Sequence, residues 1–162
     1  MAKKKSQDAR IFPVDTRFQK MASRKGGISR EKAIEQAQSR IEQAKPGFDE
    51  WLDAELREFG GLIKTAEAGQ ANPDWIERAN FRSRQLRDSS TMFGYELLSF
   101  IANSLCEILD AMEAGRKGNM ESIACHMDAI ALARRKSYRR LKPEQVPELT
   151  KGLRRVVKHV TV

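Results

Sequence analysis

The sequence predicts an all-α protein, and three observations carry that expectation. Apolar residues recur at helical spacing: Leu86, Phe93, Leu97, Ile101, Leu105, Ile108 and Met112 follow one another at intervals of three, four or seven residues and share one face of a 3.6-residue helix. The punctuation between such stretches is helical too, with Gly69, Gly94 and Gly115 where helices stop and Pro46 and Pro73 where they begin. Finally, 162 residues with 40% hydrophobic and 32% charged side chains suit one compact domain and are too apolar for a disordered chain.

Taken in order, residues 1–28 combine Lys3 to Lys5, Pro13 and Gly26-Gly27 with little apolar periodicity and read as a flexible basic arm. Ile11, Phe12, Val14 and Phe18 could anchor its second half, and the lysines are most simply a solubilising tail. Ser29 is a helix N-cap for a run through Ile34, Ala37 and Ile41 that should end near Lys45-Pro46. Pro46 fits the first turn of a second helix, in which Phe48, Trp51, Leu52, Leu56, Phe59 and Leu62 mark a core face as far as Ala68. Gly60-Gly61 weakens its second half, at roughly 1 kcal/mol per glycine.

A third helix begins at Pro73 under an Asn72 cap and turns Trp75, Ala79 and Leu86 inward. Ser89, Ser90, Thr91 and Gly94 then favour a break, although the apolar stripe passes through it in register. A fourth helix spans about Tyr95 to Glu113, and a fifth, Asn119 to Arg140, buries Met120, Ile123, Met127 and Ile130. Beyond Pro143 and Pro147, a last short helix carries Leu149, Leu153, Val156 and Val157, with Lys151, Arg154, Arg155 and Lys158 outside. The resulting division is a basic arm over 1–28, a helical bundle over 29–140 and a basic helical segment over 141–162. Helices 47–68, 73–91, 95–113 and 119–140 form the four walls of the bundle.

The net charge of +8 favours acidic partners. No apolar run approaches the roughly 18 residues needed to span a bilayer and the start, MAKKKSQDAR, lacks the apolar segment of a secretory signal, so a cytoplasmic protein without membrane insertion is expected. Cys106 and Cys125, without metal-ligand spacing, read as reduced packing residues. A glycine-rich phosphate loop, an HExxH pair, a nucleophile elbow and a His/Cys/carboxylate metal set are all missing, which argues against an ordinary hydrolase or metalloenzyme and for a protein that is no enzyme and uses no cofactor or metal. His159 is structural. His126 lies about 90° from the centre of its helix's apolar stripe, as a half-buried border residue would. The candidate site is Arg84, Arg87, Asp88 and Thr91, which at i, i+3, i+4 and i+7 form one solvent-facing strip opposite the apolar stripe.

Around that strip, Phe93-Gly94-Tyr95 followed by Ser104-Leu105-Cys106 resembles the histidine-containing phosphotransfer (Hpt) domains of a longer alphaproteobacterial type, over roughly residues 10–135. In that type a segment like Ala-His-Asp-Met-Lys-Gly precedes Gly-Thr-Thr-Phe-Gly-Tyr, and a helix containing Ser-Leu-Cys follows. The resemblance implies an antiparallel four-helix bundle with extra N-terminal and C-terminal helical segments, and a hairpin that presents a phosphorylatable histidine with lysine at +3 and glycine at +4. Those places hold Arg84, Arg87 and Asp88 here. A guanidinium stays protonated and has no nucleophilic nitrogen, so the resemblance implies a degenerate signalling protein that docks a response-regulator receiver domain or a histidine kinase without relaying phosphate. One alternative is an active phosphotransfer protein that uses His126. The other is a nucleic-acid-binding helical protein that uses the 134–158 region, where ten Lys/Arg face two Glu. So apolar a helix pair could also bury surface in a homodimer.

Overall fold

The computed structural model describes residues 16–22, 26–116 and 118–161, and among them it holds helices and turns but no strand. In chain order these are α1 (Arg17–Ala22), α2 (Arg30–Glu67), α3 (Trp75–Met92), α4 (Glu96–Glu113), α5 (Met120–Ala133), a 3-10 turn (Pro143–Gln145) and α6 (Pro147–Thr161). The chain divides into two compact units after Gln38, inside α2. In the first unit Ser29 caps α2 as expected: its hydroxyl accepts from the Lys32 N–H at 3.3 Å and its carbonyl from the Ala33 N–H at 2.9 Å. The arm expected over 1–28, with Lys3 to Lys5, Ile11, Phe12 and Val14, falls largely outside the described residues, as does the side chain of Phe18.

The second unit is built around α4. Leu97, Leu98, Ile101, Ala102, Leu105, Cys106, Ile108 and Leu109 are all buried, which wraps apolar surface around more than half of the helix. α3, α5 and α6 pack against it, and Phe48, Leu52, Phe59 and Ile63 of α2 join the same core.

α3 and α4 form an antiparallel hairpin. Thr91 meets Ser99, Ser83 meets Ala102 and Cys106, and Asn80 meets Asp110 and Glu113. Its turn is a Schellman stop, in which the Tyr95 N–H donates to the Ser90 carbonyl and the Gly94 N–H to that of Thr91. Gly94 sits at φ +75°, where a Cβ would be strained. The same pair of bonds closes α2 at Gly69 and α4 at Gly115. Phe48 of α2 stacks on Phe93 and Tyr95 with ring centroids 4.4 and 5.3 Å apart, fastening α2 to the turn.

Two expectations need correction. α2 does not end at Lys45: one helix runs from Arg30 to Glu67 with Pro46 inside it. Pro46 has no N–H to give the Glu42 carbonyl, but the face bearing Phe48 and Leu52 is held by the core, and that packing outweighs one missing bond. The helix continues through Gly60-Gly61 to Glu67, close to the expected Ala68, with Phe59 and Ile63 on either side of the pair buried. α5 stops at Ala133 rather than Arg140. Residues beyond it turn back toward α2, where Arg134 pairs with Asp53 and Arg139 Nη1 lies 2.7 Å from Asp49. The basic segment over 141–162 carries α6, whose Thr150, Leu153, Val157 and Val160 are buried and which packs on both α4 and α5.

Ile101, wholly buried at the middle of α4, is the test of this core. Ile101→Ala should lower the urea unfolding free energy by about 2 to 5 kcal/mol, through lost transfer energy and a residual cavity. A loss well below that range would mean that the face packs loosely.

Candidate functional site on the exposed face of α3

The strip inferred from the sequence lies on the surface of α3, but its charges are not free. Arg84 Nη2 donates to Asp110 Oδ1 at 2.7 Å and its Nε to Asn80 Oδ1 at 3.2 Å. Buried Asn80 in turn donates from Nδ2 to Asp110 at 2.6 Å and to Glu113 at 3.1 Å. Arg87 Nε lies 2.8 Å from Asp88 Oδ1. Thr91 Oγ1 donates to the Arg87 carbonyl at 2.9 Å and sits 2.6 Å from Ser99 Oγ, so this hydroxyl fastens α3 to α4.

Each arginine therefore has a carboxylate beside it, and the strip is electrically balanced instead of basic. Arg87 holds the Asp88 carboxyl below its ordinary range by hydrogen bonding. Burial pushes the Asp110 carboxyl up, but the hydrogen bonds from Asn80 and Arg84 outweigh it and hold the group low. Both pairs are largely exposed, and water screens their contribution to stability. Asp110 could not be foreseen, because it comes from α4, 26 residues along the chain from Arg84.

Periodicity also missed two apolar residues that α3 leaves in water. Phe81 is 62% exposed and Met92 59%. At roughly 100° per residue, Phe81, Arg84, Asp88 and Met92 fall within an arc of about 80° and form one row some 17 Å long.

His126 is not the border residue that its spacing suggests. It is wholly buried, Nδ1–H donates to the Ser122 carbonyl at 2.8 Å, and Nε2 accepts from the Ser104 hydroxyl at 2.9 Å. With Nδ1 carrying the proton and the Nε2 lone pair engaged, the ring offers nothing to an incoming phosphoryl group in this conformation. Cys106 is buried as expected; burial pushes its thiol up, and Sγ–H donates to Ser83 Oγ at 3.3 Å. Cys125, expected to pack, is exposed. It lines a cleft of about 430 Å³ with Glu121 and His159, yet no hydrogen bond joins thiol to imidazole. Among the described residues no group of three or more His, Cys, Asp or Glu side chains could hold a metal ion, and no helix is long and apolar enough to cross a membrane.

No protein-family model matches the chain, and no curated protein or solved structure matches it either.

The buried imidazole sets a pH dependence. Burial lowers the folded pKa of His126 below its ordinary 6.5, only partly offset by the bond to Ser122. The unfolded chain therefore takes up the proton first: stability is full above pH 6.5 and declines as the pH falls toward the folded pKa. Urea midpoints should drop between about pH 7 and pH 5, and drop less in His126→Gln. Asp88 and Asp110 do not confuse the reading, since their depressed pKa values act only below the ordinary carboxylate range. Equal pH slopes in the two proteins would show that His126 titrates alike folded and unfolded.

Proposed function

We propose that this chain is a non-catalytic protein-binding module, a degenerate Hpt-like bundle that docks the receiver domain of a response regulator through the exposed face of α3 and does not relay phosphate. The observation that carries the reading is the row in which Phe81 and Met92 stand in solvent on either side of Arg84 and Asp88. Three further features support it. The α3–α4 hairpin turns at Phe93-Gly94-Tyr95, where the resemblance puts its turn. Arg84 stands mid-helix and exposed at the place of the family's histidine, and its guanidinium has no lone pair with which to accept a phosphoryl group. Its hydrogen bonds to Asn80 and Asp110 orient it before any partner arrives, which lowers the entropy cost of using its remaining N–H donors on a carboxylate.

Because Arg84 and Arg87 are already matched by Asp110 and Asp88, net charge is a weak source of affinity at this face. The apolar flanks supply the binding free energy and the arginine supplies direction. The face that would dock is therefore amphipathic: an apolar patch beside an acidic group, as a receiver's phosphoacceptor pocket would offer.

Titration calorimetry of the full chain against a panel of receiver domains tests the proposal. Phe81→Ala and Arg84→Ala should each weaken binding about tenfold or more, with little change in the unfolding midpoint because both side chains are exposed. Incubation with phosphorylated receivers should leave no acid-labile phosphate on this chain. Arg84→His should not restore transfer, since Asp88 one turn away repels an incoming phosphoryl group. Binding that ignores both alanine variants, or a labelled histidine on the natural chain, would sink the idea.

A further inference from the structure

A cluster of positive charge lies elsewhere, in a cleft of about 800 Å³ where the start of the aromatic face of α2, the α3–α4 turn and the segment after α5 meet. Four cations line it, Lys45, Lys136, Arg139 and Arg140, against two carboxylates, Glu42 and Asp49. Both carboxylates are already engaged: Glu42 lies 2.5 Å from Lys45 Nζ, and Asp49 accepts from Arg139 Nη1 at 2.7 Å and from the Tyr95 hydroxyl at 3.3 Å. Lys136 and Arg140 have no ion-pair partner among the described residues, so the cleft keeps two uncompensated charges. Arg139 is held in place twice over, by Asp49 and by the Tyr95 ring 5.8 Å beneath its guanidinium, while its buried Nε–H has no acceptor. Gly94 and Tyr95, also at the wall, join the end of α3 to the start of α4.

We infer that this cleft binds a small phosphate-bearing anion. Oriented Arg139 supplies fixed donors, and Lys136 and Arg140 supply mobile charge. The volume suits a small molecule, and the carboxylates of Glu42 and Asp49 on the wall work against an extended nucleic-acid backbone. The inference is independent of receiver docking, since none of these side chains belongs to the α3 row.

Inorganic pyrophosphate is the probe, titrated into the full chain by calorimetry at fixed ionic strength. Binding below about 1 mM is expected. The double variant Lys136→Gln, Arg140→Gln should weaken it about a hundredfold, as expected for two lost charge-assisted contacts, while thermal unfolding stays unchanged because both side chains are exposed. Glu42→Gln, which frees Lys45 and removes a repulsive wall charge, should tighten binding severalfold. No binding up to about 10 mM pyrophosphate would overturn the inference, as would affinity that survives the double variant. A short DNA duplex that binds more tightly than pyrophosphate and loses its affinity in the double variant would also overturn it, by making the cleft part of a nucleic-acid surface.

Discussion

Covering α4 is the constraint on which the rest of the second unit depends. A helix that is apolar over most of its circumference cannot be satisfied by one neighbour, so α3, α5, α6 and the later part of α2 are each needed to take some of it out of water. This is why a proline within α2 and a glycine pair farther along do not break that helix, and why α6 closes the core despite its strongly basic outer side. Polar groups admitted to this interior are paired within it: Ser83 donates to the Ala102 carbonyl, and His126 is held between Ser104 and Ser122. Ser90 Oγ is an exception, buried without a partner.

Net charge proved a poor guide to where charge acts. The chain carries a surplus of eight positive charges, yet the face of α3 that holds two arginines is neutralised by Asp88 and Asp110. Two cations without an ion-pair partner among the described residues, Lys136 and Arg140, stand instead near the α3–α4 turn, beside Lys45 and Arg139, which are distant from each other in sequence. The two regions thus offer different chemistry: an amphipathic row with oriented donors on one, a concave pocket of positive potential on the other.

What could be read from the sequence followed from local geometry. The apolar stripe through Leu97, Ile101 and Leu105, the Ser29 cap and the glycine stops at 69, 94 and 115 depend on residues within a few positions of one another, and periodicity finds them. Gly94 is instructive because the stripe runs through it in register: the weak helix formers Ser89, Ser90 and Thr91 favoured a break near it, and the resemblance, carried by Phe93-Gly94-Tyr95, put a turn there. What escaped was set by long-range contacts. The packing that holds α2 together at Pro46, the ion pairs that the segment after α5 makes with Asp49 and Asp53, and the burial of His126 under Ser104 each involve partners on another element. Of the candidate site, the positions on α3 were legible, whereas the neutralising Asp110 and the exposure of Phe81 and Met92 were not.

The closeness of α3 and α4 along the chain also bears on how the molecule assembles. Only Phe93, Gly94 and Tyr95 separate the two helices, so bringing them together closes a very short loop, whereas the Asp49–Arg139 pair joins residues 90 apart. Loop-closure entropy rises with the logarithm of that separation, and contacts between near neighbours are reached soonest from the unfolded chain. The hairpin is therefore the natural nucleus. By the same reasoning the contacts of the segment after α5 with α2 come late, which puts the cationic cleft among the last features of the molecule to form.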